Sequence, residues 1–216
     1  MTVKVKICGL RSAQALDAAL DAGADYIGLV FYGPSPRNVD VEIARELAQQ
    51  ARGRAQSVAL LVDPEDSQVD EISGKVNPDL IQLHGNEPPE RVAEIRRRSG
   101  RPVMKAVKVA TRDDVEAAKD YDATADIILY DAKAPEGETF TLPGGNGIPF
   151  DWKALAGVKN SGKFMLSGGL DPDNVRTAID LTGADMVDVS SGVESAPGEK
   201  DPALIHRFIT AAKAKR

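Results

Sequence analysis

One cysteine and two histidines stand in a chain of 216 residues. A lone thiol excludes an internal disulfide framework and a multi-cysteine metal site, and two imidazoles are too few for a histidine-rich metal centre. Positive charge is in deficit. Lys and Arg total 27 against 33 Asp and Glu, a formal charge of −6. That argues against a nucleic-acid partner, whose binding surface is usually basic. It leaves room for a small anionic molecule held by a few local cations. No run of about 18 apolar residues occurs, so nothing reads as a membrane span. The opening MTVKVKICGL lacks the apolar stretch of a signal peptide. A cytoplasmic protein is expected. No Gly-x-Gly-x-x-Gly follows the first apolar run, where a dinucleotide-binding fold carries one. With no repeat, low-complexity tract or linker, 1–216 reads as a single domain.

What is present is a rhythm of short apolar runs. VKVKIC (3–8), DYIGLVF (25–31), QSVALLVD (56–63), DLIQL (79–83), PVMKAVKV (102–109), DIILYD (126–131), KFMLS (163–167) and DMVDVS (185–190) have strand length, and most are rich in Val, Ile and Leu. Helical stripes lie between several of them. Ala15, Leu16, Ala19 and Leu20 form one, Ile43, Ala44, Leu47, Ala48 and Ala51 another, and Leu204, Ile205, Phe208 and Ile209 a third. Ser12, Asp40, Asp171 and Asp201 stand where helix N-caps belong, and Pro172 and Pro202 suit the first helical position. Glu87-Pro88-Pro89 opens a further helix. Between 131 and 162 there is room for only one short helix, around Asp151–Ala156. Eight strands alternating with helices imply a parallel sheet, and eight units in this length fit a (β/α)8 TIM barrel of the α/β class. An open doubly wound sheet is the alternative.

Chemistry on such a barrel sits at the C-terminal ends of the strands. Cys8, Arg37, Asp63, His84, Asp131, Ser167-Gly168-Gly169 and Ser190-Ser191-Gly192 all fall at those ends or in the loops that follow. The last two clusters follow strands 7 and 8, the recurrent phosphate site of this fold, where glycine lets backbone N–H groups approach an anion. Ordinary capped turns have a similar composition. Cys8 reads as a base or nucleophile facing the barrel mouth, or as an inert buried thiol. Asp131 suits a general acid, and also an N-cap or an ion pair with Lys133. His84 suits a group that polarises a substrate oxygen, or one that caps a loop. Arg37 offers a planar fork for a carboxylate, or a surface salt bridge. Asp63-Pro64 reads as a turn. The stretch 132–150, with Gly137, Gly144, Gly145 and Gly147, reads as a lid or binding loop, or as an insertion without a role.

Taken together, VKICGL, GLVFYGPSPRNV, LVDP, IQLHGNE, YDAK, LSGGLDPDNV and DVSSGVESAPGEKD resemble the phosphoribosylanthranilate isomerase family in the family's order and over nearly the whole chain. The resemblance implies a (β/α)8 barrel with no cofactor and no metal. It implies an Amadori rearrangement of N-(5-phosphoribosyl)anthranilate in tryptophan biosynthesis, with Asp131 as acid and Cys8 as base. Arg37 would then clamp the anthranilate carboxylate, and Ser167, Gly168, Gly169, Ser190, Ser191 and Gly192 would hold the phosphate, with His84 also at the substrate. Members are commonly single-domain monomers, so a monomer is expected. Two departures stand out. Ala132 replaces the Ser or Thr that many members carry after the aspartate, and the loop holding LPGGNG is longer than in compact members.

Other phosphosugar enzymes on the same barrel are rivals. A histidine-biosynthesis isomerase would use two carboxylates, against which Cys8 counts. A pentose-phosphate epimerase would want a metal-binding set that two histidines do not supply. A phosphate-metabolite binder without activity would have no need to keep Cys8, Asp131 and Arg37 together.

Overall fold

Eight parallel strands pair in chain order and the last closes onto the first. They are β1 (Lys4–Cys8), β2 (Tyr26–Phe31), β3 (Gln56–Leu61), β4 (Leu80–Leu83), β5 (Val103–Val109), β6 (Ile127–Ala132), β7 (Phe164–Leu166) and β8 (Met186–Val189). The structure, a computed structural model, describes residues 2–133, 152–155 and 164–214. The barrel is the closed alternative of the two sheets that the sequence allowed.

The helices are α1 (Ala13–Ala22), α2 (Val41–Ala51), α3 (Asp66–Glu71), α4 (Pro89–Ser99), α5 (Arg112–Ala117), α6 (Val175–Thr182) and α7 (Pro202–Lys213). A π turn at Ile72–Val76 extends α3, and a 3-10 turn at Ala118–Tyr121 extends α5. After β6 the described helical piece is a single 3-10 turn, Trp152–Leu155, inside the stretch where the sequence left room for one short helix. Ser12, Asp40 and Asp201 cap α1, α2 and α7 through their side-chain oxygens, and Pro202 occupies the first turn of α7. Pro89 begins α4.

Asp171 is a correction. The cap of α6 is Asn174, and Asp171 instead accepts from the backbone N–H groups of Asp173 and Asn174 in a turn before the helix. A short Asp or Asn side chain folds back on its own backbone as readily as it caps a helix, and the Asp-Pro pair does not distinguish the two. Ile43, placed on the buried stripe of α2, is 45% exposed. A short antiparallel hairpin, β9 (Glu194–Ala196) with β10 (Glu199–Lys200), was not expected. It turns at Gly198, whose φ of 85° suits glycine.

Strand parity sorts the core. Val5 and Ile7 of β1 and Ile27 and Leu29 of β2 belong to the large cluster shared with the helices. The opposite parity fills the barrel. Tyr26, Val58, Leu80, Met104, Leu129, Met165 and Met186 belong to a separate apolar cluster on its floor. Cys8, Val30 and Leu60 form a small third cluster nearer the rim. On that same inward parity lie the buried polar residues Lys6, Gln82 and Asp188. Burial on both faces is why most of these strands read as near-continuous apolar runs.

Candidate active site

Cys8 is the last residue of β1 and is 4% exposed. Gly28 faces it from β2 in register. A Cβ at Gly28 would lie 2.8 Å from the Cys8 sulfur and 2.9 Å from its Cα. The glycine in YIGLVF therefore makes room for the thiol. Ser190 donates through its hydroxyl to the Cys8 carbonyl at 3.2 Å, tying β8 to the end of β1. Burial pushes the Cys8 thiol above its ordinary range, while Lys6 and Lys200 pull it down and Asp188 adds to the upward push.

Lys6 lies two residues earlier on the same strand face and is fully buried. Its ammonium meets Asp188 of β8 at 2.9 Å, and the second carboxylate oxygen of Asp188 accepts from the Ser167 hydroxyl at 3.2 Å. Although burial opposes its charge, Asp188 and Cys8 hold the Lys6 ammonium above its ordinary range.

Asp131 projects from the end of β6 with 4% exposure. His84 Nε2 lies 3.0 Å from Asp131 Oδ2, and Gln82 Nε2 lies 3.1 Å from His84 Nδ1. An amide nitrogen can only donate, so in this orientation Nδ1 accepts and Nε2 carries the proton toward Asp131. His84 thus orients the carboxyl group. Neither alternative for Asp131 is realised: it caps no described helix, and Lys133 lies 4.0 Å from Asp114 instead.

Arg37 is buried at 6% exposure, so its pairing is no surface salt bridge. Its Nε and Nη2 donate to the two carboxylate oxygens of Glu194, each at 2.8 Å. Lys200 Nζ reaches the same carboxylate at 2.6 Å and the Ser190 carbonyl at 2.9 Å. These two cations hold Glu194 below the usual carboxylate range against the opposing effect of burial. Gly9, with φ of 83°, lets the Arg37 stem lie across the end of β1, where a Cβ would come within 2.8 Å of it. The hairpin β9–β10 thereby fastens the guanidinium over the rim.

The two glycine-rich loops touch each other. A Cβ at Gly192 would run into the carbonyl oxygen of Leu170, so this glycine permits close packing of the loop after β8 against the loop after β7. Gly168 has φ of 84° and its Cβ would lie 2.5 Å from the backbone nitrogen of Ala132, beside Asp131. Asn174 donates through its side-chain amide to the Gly169 carbonyl at 2.8 Å, lacing the loop shut. The loop that begins at Ser167 thus meets the loop that holds Ser190, Ser191 and Gly192 at Leu170 and Asp171.

Asp63 keeps a turn, as its sequence context suggests. It has φ of 44°, and its carboxylate accepts from the Asn86 N–H at 2.7 Å. The buried carboxylate of Glu87 binds the Asp63 N–H at 2.8 Å, the Gly85 N–H at 3.0 Å and the Lys105 ammonium at 2.6 Å. Apart from Ala132 and Lys133, the stretch 132–150 lies outside the described residues. Among the described residues no group of three or more His, Cys, Asp or Glu side chains could hold a metal ion.

Sequence reasoning passed over Lys6, Asp188, Glu194, Lys200, Gln82 and Gly28. For the strand residues a signal existed. Lys6, Gln82 and Asp188 are polar groups inside runs that a parallel barrel buries on both faces, and Gly28 is a glycine within a strand. Glu194 and Lys200 gave no such signal, since their burial follows from the unexpected hairpin.

The model of the family described as N-(5'phosphoribosyl)anthranilate (PRA) isomerase matches residues 5–211. An N-(5'-phosphoribosyl)anthranilate isomerase of Rhodopseudomonas palustris (strain BisA53) is 56% identical over 214 residues, covering 99% of this chain and 97% of its own. The crystal structure of phosphoribosyl anthranilate isomerase from Thermotoga maritima superposes with a TM-score of 0.87 at 37% identity, covering 98% of both chains. A phosphoribosyl anthranilate isomerase in complex with reduced 1-(o-carboxyphenylamino)-1-deoxyribulose 5-phosphate gives 0.84 at 35% identity, again over 98% of each.

Proposed function

The chain belongs to the N-(5'-phosphoribosyl)anthranilate isomerase family, and from that premise we propose that Cys8 is its general base and Asp131 its general acid. The protein is an aldose–ketose isomerase of tryptophan biosynthesis. It converts N-(5'-phosphoribosyl)anthranilate to 1-(2-carboxyphenylamino)-1-deoxyribulose 5-phosphate.

Asp131 protonates the furanose ring oxygen as the bond from that oxygen to C1' breaks, and the anilino nitrogen supplies the electron pair that makes C1'=N. The Cys8 thiolate then removes the proton from C2', and the electron pair left behind neutralises the iminium as an enolamine. Return of a proton to C1', with loss of the proton from the C2' hydroxyl, gives the ketone. One acid and one base on different strands of one mouth meet these needs. The observation that carries the reading is that both groups are buried at the C-terminal ends of barrel strands, Cys8 closing β1 and Asp131 near the end of β6 with His84 3.0 Å away. The loops after β7 and β8 hold the substrate phosphate away from the reacting carbons, and their binding energy orients the sugar. Arg37 meets the anthranilate carboxylate, with its plane fixed by Glu194.

Consumption of the fluorescent anthranilate adduct tests the reading. The wild type removes the fluorescence, and Asp131→Asn lowers kcat by at least ~10²-fold, the scale of one acid–base group. The product's affinity stays near the wild-type value, because the acid does not touch the phosphate. A folded Asp131→Asn enzyme with near-normal kcat overturns the acid assignment.

The reaction runs in the cytoplasm, where a lone thiol base is kept reduced. Among the described residues no helix is long and apolar enough to cross a membrane. The working unit is a monomer over 1–216. In its support, the exposed large apolar residues among those described, Ile43 and Leu181, sit on different helices, α2 and α6.

A further inference from the structure

We propose that Lys6, anchored by Asp188 and Ser167, is a positioning residue that holds the thiolate of Cys8 and so makes the base available. The proposal rests on the reading of Cys8 as base.

Lys6 and Cys8 are two residues apart on β1, so their side chains leave the same face of the strand. Lys6 is fully buried. An ammonium there is tolerated only with strong partners. Asp188 supplies one, facing Lys6 in register across β1 and β8 with 2.9 Å between Nζ and Oδ1. Ser167 fixes the far oxygen of Asp188 at 3.2 Å. An ammonium has three donors; Asp188 takes one of them, and the cation favours the ionised form of Cys8 on the strand face that they share.

Stability alone does not account for the pair. Well-packed apolar residues of similar volume commonly replace a buried ion pair without loss, and the barrel floor beneath is already apolar. A fixed cation beside the sulfur has a chemical use. Burial disfavours the thiolate, and Lys6 is the largest influence in the opposite direction. The other charged neighbours of Cys8 are Asp188, which opposes ionisation, and Lys200, which favours it. Lys200 is already committed to Glu194 and Ser190. From the β2 side Cys8 meets Gly28, which carries no charge. As C2' yields its proton, the sulfur becomes neutral, and Lys6 and Asp188 remain a balanced pair.

The test uses the fact that the chain has one cysteine. With 13C-labelled cysteine, an NMR titration reads Cys8 alone. The midpoint is compared between wild type, Lys6→Met and the double variant Lys6→Met with Asp188→Leu. Lys6→Met is expected to move it upward by about one pH unit or more, the effect of losing an opposite charge at contact, and the double variant moves it upward by less, since it also removes the Asp188 carboxylate that opposes ionisation. At neutral pH kcat falls by about tenfold or more, since each pH unit of midpoint is a factor of ten in thiolate. Activity recovers as pH is raised, with KM little changed. Lys6→Met leaves Asp188 buried without its partner and can fail to fold, whereas the double variant removes both charges and keeps the test open. A double variant whose midpoint coincides with wild type overturns the proposal. A shifted midpoint together with a fully active Cys8→Ser enzyme overturns the base assignment instead, so the two failures are separate.

Discussion

Cys8→Ser is expected to lower kcat by at least ~10²-fold while the protein stays folded and binds the product as before. Serine keeps the size and polarity of the side chain, but its hydroxyl does not ionise in the working range, so it cannot serve as the base. Steady-state kinetics on the purified variant decide the matter, and near-normal kcat would show Cys8 to be a core residue only. The pH profile sharpens the expectation. Acid and base act as a coupled pair, so the wild-type bell has limbs that belong to the pair, and the serine variant loses the limb that the thiol contributes. Stability carries a second mark. The folded thiol holds its proton to higher pH than an unfolded cysteine does. Above ~8.5, where the unfolded thiol ionises, the unfolded state binds fewer protons than the folded state, so stability falls as pH rises until the folded thiol ionises too. Denaturant melts of Cys8→Ser should lack that alkaline decline.

Gly192→Ala is expected to cost the most in phosphate binding. The new methyl group meets the Leu170 carbonyl, a backbone atom with little freedom to retreat. The two loops must separate, and backbone donors set for one anion can no longer converge. Losing one or two charge-assisted hydrogen bonds, each worth about 1.5–3 kcal/mol, weakens binding by roughly tenfold to ten-thousandfold. Titration with inorganic phosphate and with product reads this directly, and unchanged affinity for both would remove the phosphate assignment from these loops. The cause differs from the one that the sequence suggests. The described contact at Gly192 is the neighbouring loop, so the glycine shapes the pocket wall from behind.

The barrel was legible because its physics repeats. Runs such as VALL and IGLVF are apolar on both parities, which a parallel sheet requires and a half-exposed one does not. Cys8, Asp131 and the two Ser-Gly clusters were legible as rim positions, since each follows directly on an apolar run. Residues that act on those groups from within the strands were harder to read. Lys6 sits in VKVKIC beside Lys4, and the alternation suggests a half-exposed strand, yet the inward parity buries Lys6 completely while Lys4 at the barrel foot is exposed. Only the register that sets Lys6 opposite Asp188 gives the charge a partner. Glu194 and Lys200 depend on a hairpin too short for pattern reading, and Arg37 gained its buried pairing through them.

Glu87 lends the rim a particular rhythm of opening. The amides of Asp63 and Gly85, from the loops after β3 and β4, share this one buried carboxylate, and Lys105 of β5 balances its charge. Neither amide can take up solvent deuterium through that carboxylate's departure without the other being released at the same moment. Departure of Glu87 would therefore release both loops together, beside His84, which precedes Gly85 in the chain. Hydrogen exchange at Asp63 and Gly85 would then share one opening rate, and that rate would be a clock for how often the support behind Asp131 lets go.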